Sequence, residues 1–191
     1  MIRAIFLDVD GTLISFSTHE IPASARRALT QAHERGVRLF IATGRAANDL
    51  GPLEGIPYDG VVSLNGARCV ANDGRVVSLH PIPRADFERA LALSEEQDFA
   101  MGLELEEGVF VNRVTPDVKR VAHMVAHPVP EQTDLRELFG RVECCQLCFY
   151  FDAETQRRVM AELPTLVASR WCPIFADVNV AGIDKATGME E

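Results

Sequence analysis

Residues 2–7 place apolar side chains on both faces of an extended chain, the pattern of a strand in a parallel sheet covered on both sides. Pro22 opens a helix that runs to about Arg35, with Ala25, Leu29 and Ala32 on one face, and Gly36 stops it. Residues 37–43 predict a second strand, 46–53 a short helix and 60–66 a third strand. Strand–helix–strand alternation of this kind specifies an α/β fold, a parallel sheet with crossover helices. The pattern then changes. Residues 67–80 read as a hairpin turning at Asn72-Asp73-Gly74, followed by an amphipathic helix over 84–97 and a strand pair at 99–105 and 108–113. Helices over 116–126 and 133–139, a strand over 143–151, a helix over 153–162 and strands over 165–171 and 174–179 complete the series. Strands paired by hairpins with helices set apart predict an inserted α+β module. The expected organisation is a core over 1–82, an α+β domain over 83–181 and a return to the core over 182–191.

Composition narrows the class without naming a chemistry. The chain has 191 residues, 47% of them hydrophobic and 25% charged, as in an ordinary globular protein. No apolar run approaches the roughly 20 residues that span a bilayer, and the start lacks the pattern of a signal peptide, so the expected location is the cytoplasm, with no membrane partner. Five cysteines, an odd number, suit reduced thiols there. In "CCQLC", a strand would put Cys144 and Cys148 on one face and Cys145 on the other, with no histidine nearby, which favours small apolar strand residues over a zinc set. The net charge of -9 falls wholly on residues 81–191, since residues 1–80 hold eight acidic and eight basic side chains. No basic stripe is present for nucleic acid.

The chemistry lies where the strands end. Ligands of an open α/β sheet sit beyond the carboxyl ends of its strands, and three successive endings here are polar: Asp8 and Asp10, then Thr43-Gly44-Arg45, then Asn65-Gly66. Two carboxylates so close repel unless a cation lies between them or one is protonated. A hard cation with oxygen ligands, Mg²⁺ for preference, resolves the repulsion. One carboxylate can then attack an electrophile, as in forming an aspartyl-phosphate. Gly11 and Thr12 offer backbone N–H groups for phosphate oxygens, Thr43 a hydroxyl, and Lys185 a point charge for developing negative charge. Together these parts describe phosphoryl transfer. Each residue also has a plainer reading: a capped turn for the aspartates, a strand end for Thr43-Gly44, a surface helix position for Arg45, an Asx-turn for Asn65. Lys185 is one of two lysines, and Lys119 shows that a lysine here need not mean function.

"DVDGT" after an apolar strand, then "IATGR", "SLNGA" and "GIDKATG", in that order, resemble the haloacid dehalogenase (HAD) superfamily over essentially the whole chain. The insert after "SLNGA" is similar to the larger cap of the Cof-type sugar-phosphatase branch. The resemblance implies a HAD-like Rossmannoid core with an inserted α+β cap, and a Mg²⁺-dependent phosphatase acting on a small phosphorylated metabolite. It implies that Asp8 is nucleophile and metal ligand, and that Asp10 is general acid and base with its carbonyl on the metal. Thr43 would bind the transferring group, Lys185 neutralise it together with Asp8, and Arg45 and Asn65 contact substrate or phosphate. Family members also carry a later acidic motif of the form GDxxND, which this chain lacks. The expectation is therefore a truncated core that binds Mg²⁺ weakly and turns over slowly, with the open edge of the first strand covered, a second copy of the chain being one candidate. A catalytically inactive remnant that binds a ligand or partner is the alternative, and a receiver-like phosphoacceptor, which would lack the long insert, a third.

Overall fold

The computed structural model describes residues 2–15, 17–18 and 20–191. They form two compact units: the chain through Leu79 together with Ile183–Glu191, and His80–Gly182. The divisions at 79/80 and 182/183 lie three residues before and one residue after the 82/83 and 181/182 boundaries expected from the sequence.

The first unit carries β1 (Ala4–Leu7), α1 (Ala23–Glu34), β2 (Arg38–Ala42), β3 (Gly60–Ser63), β4 (Arg68–Ala71) and β5 (Val76–Leu79), in the sheet order β1-β2-β3-β4-β5. The first three strands are parallel, and β3, β4 and β5 pair antiparallel. Burial selects this register. Leu39 and Ile41 of β2 are fully buried and pack with Val9, Leu13, Leu29 and Leu53. α1 begins after Pro22, and Gly36, at φ 83°, takes the left-handed step that ends it. At the β4–β5 turn, the Arg75 N–H donates to Asp73 Oδ1 at 3.0 Å.

Two expectations for this unit change. No α-helix forms over 46–53, where turns lead to one 3₁₀ turn at Gly51–Leu53. Gly51 disfavours helix and Pro52 has no N–H to donate. Nor is β1 buried on both faces. It is an edge strand, and Phe6 remains 37% exposed while its ring stacks on Phe40 at 4.9 Å. Among the described residues no strand pairs with its outer edge.

The second unit holds α2 (Arg84–Glu96), β6 (Ala100–Leu105), β7 (Gly108–Val111), α3 (Pro116–Met124), β8 (Glu131–Gln132), α4 (Leu135–Phe139), β9 (Gln146–Tyr150), α5 (Ala153–Ala161), β10 (Leu166–Cys172) and β11 (Phe175–Val180). Its sheet runs β10-β11-β9-β6-β7-β8. Alternation along each strand splits the packing. Met101, Leu103, Leu147, Phe149 and Val178 join residues of α2, α4 and α5, whereas Ala100, Cys148, Tyr150 and Phe175 pack with Val118 and Val121 of α3. Cys144 lies before β9 and belongs to the first of these clusters, Cys148 to the second. The expectation that they share a strand face is thus corrected: the strand starts too late to impose it. A last helix, α6 (Lys185–Glu190), belongs to the first unit.

Candidate active site

The chain leaves β1 at Leu7 and closes a tight turn on itself. Val9, 1% exposed, anchors it, with its carbonyl accepting from Thr12 at 3.3 Å and from Ile14 at 2.8 Å. Gly11, at φ 75°, supplies the left-handed residue, and its N–H donates to the Ile14 carbonyl at 2.9 Å. The turn therefore uses the Gly11 and Thr12 amides internally.

The two carboxylates on this turn face different cations. Asp8 Oδ1 accepts from Lys185 Nζ at 2.7 Å and from the Val9 N–H at 2.9 Å. Both donors use Oδ1, so Oδ2 is the oxygen left for chemistry. Asp10 is gripped by a fork: Arg45 Nε donates to Oδ2 and Nη2 to Oδ1, each at 2.8 Å. Paired charge-assisted bonds of this kind are strong and fix orientation. The third nitrogen, Arg45 Nη1, reaches the carboxylate of Asp49 at 3.3 Å and its carbonyl at 3.4 Å. The Asp10 hydrogen bond raises the Arg45 pKa above its ordinary value, against burial, with the charges of Asp10 and Asp49 assisting.

Thr43 follows β2 and is buried. Its hydroxyl oxygen accepts from the Arg45 N–H at 3.1 Å, leaving the hydroxyl proton to donate, and its carbonyl accepts from the Asn65 N–H at 3.0 Å. Gly44 is the bend between Thr43 and Arg45. After β3 the backbone turns left-handed at Leu64 (φ 49°), Asn65 (φ 56°) and Gly66 (φ 98°). Left-handed geometry is uncommon for a leucine and persists where surrounding contacts impose it. Here the Leu64 N–H donates to the Arg45 carbonyl at 3.1 Å. Gly66 faces the start of α6.

Lys185 is the first residue of α6, behind a reciprocal cap. Asp184 Oδ1 accepts from the Thr187 N–H, and Thr187 Oγ1 accepts from the Asp184 N–H, each at 2.9 Å. Asp8 with Lys185, Asp10 with Arg45, and Thr43 with Arg45 and Asn65 are thus drawn together from four separate stretches of chain. Asp49 is a member that sequence reading missed; its spacing of four residues from Arg45 was the available signal.

A metal fits this donor set in kind. The Asp8 carboxylate and the Asp10 carbonyl are hard oxygens of the sort Mg²⁺ takes. Among the described residues no group of three or more His, Cys, Asp and Glu side chains stands ready for a metal.

Residues 5–191 match the family model of the haloacid dehalogenase-like hydrolases. YkrA of Bacillus subtilis (strain 168), named as a phosphatase, is 26% identical over 195 residues, which take in 99% of this chain and 72% of YkrA. Among solved structures, BT1666 from Bacteroides thetaiotaomicron, from a study of phosphatases of the haloalkanoate (HAD) enzyme superfamily, is 55% identical with a TM-score of 0.94, covering 100% of this chain and 71% of BT1666. BT4131, a HAD subclass IIB sugar phosphatase, is 30% identical with a TM-score of 0.87, covering 98% of this chain and 74% of BT4131.

Proposed function

The chain belongs to the haloacid dehalogenase-like hydrolase family, and from that premise we propose that it hydrolyses the phosphate monoester of a small sugar-like metabolite through a covalent intermediate on Asp8. The observation that carries this reading is the division of the two carboxylates between two cations, Asp8 with Lys185 and Asp10 with Arg45. That division gives them separate tasks. Asp8 Oδ2 attacks phosphorus and the ester P–O bond breaks. Asp10, once protonated, gives its proton to the departing oxygen, then takes one from the water that attacks the Asp8–phosphoryl bond. Inorganic phosphate leaves and Asp8 is regenerated. Lys185 and the Thr43 hydroxyl face the charge that builds on the phosphoryl oxygens.

Arg45 occupies both Asp10 oxygens. Both oxygens already accept from N–H donors, so Arg45 has to release one before that oxygen can hand a proton to the leaving group. An arriving phosphate offers the guanidinium an alternative partner of matching geometry. Mg²⁺, which the Asp8 carboxylate and the Asp10 carbonyl would hold, would supply further positive charge for the transferring group. Substrate class rests on the kinship with BT4131. No described helix is long and apolar enough to cross a membrane.

A panel of sugar and nucleotide monophosphates, assayed with Mg²⁺ for phosphate release, tests the proposal. Hydrolysis of at least one sugar phosphate is expected, with Asp8→Asn lower by at least about a thousandfold. Equal rates for Asp8→Asn and the wild type would exclude Asp8 as nucleophile. Ligand binding with no hydrolysis anywhere on the panel would favour an inactive binding protein.

A further inference from the structure

Lys185 opens α6, which holds its amine 2.7 Å from Asp8 Oδ1. Two glycines account for its seat. A Cβ on Gly66 would lie 1.9 Å from the Asp184 carbonyl oxygen and 3.1 Å from the Lys185 nitrogen. One helical turn on, a Cβ on Gly188 would lie 2.6 Å from Val62 Cγ1, 3.0 Å from Gly66 Cα and 3.1 Å from Cys69 Sγ. The helix thus approaches β3 and the left-handed turn more closely than any side chain at either position allows. Cys69 Sγ adds a contact to the Gly188 carbonyl at 3.4 Å. The same turn grips the Thr43 and Arg45 carbonyls through the Asn65 and Leu64 N–H groups. One backbone feature therefore joins the threonine and arginine to the lysine.

We propose that Gly66 and Gly188 are positioning residues: their close contact sets Lys185 Nζ against Asp8, and a side chain at either site withdraws the amine. This inference rests on reading Lys185 as the group that neutralises Asp8 and the phosphoryl in transfer. It has an unusual sign. Alanine is the better helix former, so on an open helix face Gly188→Ala would strengthen α6, whereas here it should loosen the attachment.

The two lysines provide the test, because Lys119 is exposed and serves as an internal reference. A brief pulse of an amine-acylating reagent on the full chain, resolved by peptide mass spectrometry, gives the Lys185 to Lys119 labelling ratio without requiring turnover. In the wild type Lys185 should label more slowly than Lys119. Gly188→Ala should raise the ratio severalfold, and adding Val62→Ala, which removes the atom nearest the new methyl but leaves Gly66 Cα at 3.0 Å and Cys69 Sγ at 3.1 Å, should lower it part of the way. In assays of a hydrolysed phosphate ester, Gly188→Ala should lower kcat with KM little changed. An unchanged ratio in folded Gly188→Ala, or a raised ratio that Val62→Ala does not lower at all, would overturn the proposal. If the ratio shifts and is partly rescued while no form of the protein, wild type included, releases phosphate, the positioning stands and the phosphatase reading fails.

Discussion

Aspartates one residue apart at a strand end already predict a phosphoryl-transfer site, because the charges need a reason to be there. What the sequence does not disclose is how each carboxylate is held. The Asp10–Arg45 fork joins residues far apart in the chain, and no local spacing signals it. Asp49, by contrast, lies at helical spacing from Arg45, although no helix forms there. The consequence is a graded set of effects. Asp10→Asn should lower kcat by about 100- to 10,000-fold, the usual worth of a general acid and base. Arg45→Lys keeps the charge but loses the planar fork, and should cost about tenfold to a hundredfold in kcat through misplacement of Asp10. Asp49→Ala should cost less than Arg45→Lys. Steady-state kinetics on one hydrolysed ester checks the order, and an Arg45→Lys enzyme as fast as the wild type would remove Arg45 from the account.

At the scale of elements, periodicity recovers strands and helices whose pattern is set by burial, such as β2, β3, α1 and α2. It fails where burial depends on distant partners. The apolar pattern of β1 cannot say that Phe6 is left 37% exposed, and the cysteines before β9 follow loop geometry rather than strand alternation. Asp152 caps α5: its carboxylate accepts from the Thr155 N–H at 2.8 Å. That bond, above all, lowers the Asp152 pKa below its ordinary 3.8. A carboxylate whose pKa falls on folding stabilises the fold above its unfolded pKa, and the benefit fades as pH drops through the lowered value. Asp152→Ala should therefore reduce the melting temperature near neutral pH, and the gap to the wild type should narrow in acid. Thermal unfolding across pH checks this; a gap that widens in acid contradicts it.

Over the whole molecule, the order of the motifs and the shift from parallel to hairpin-paired strands lead the sequence reading to a core with an inserted module; the structure divides into two units. The five cysteines, all among the described residues, form no disulfide and are buried. Burial pushes the Cys144 thiol up to about 12, and Cys148 and Cys69 also rise chiefly through burial. Since the thiolate is the reactive form, iodoacetamide at about pH 8 should leave the folded chain unlabelled and modify all five thiols in denaturant; fast native labelling would contradict this packing. The central claim is more exposed to a different experiment, in which the protein is mixed with Mg²⁺ and a hydrolysed phosphate ester, quenched in acid during turnover and mapped by peptide mass spectrometry. The account predicts an alkali-labile phosphoryl group on Asp8 that is absent from Asp8→Asn. Phosphate released with the label on another residue, or with none on the protein when turnover is trapped, would contradict it.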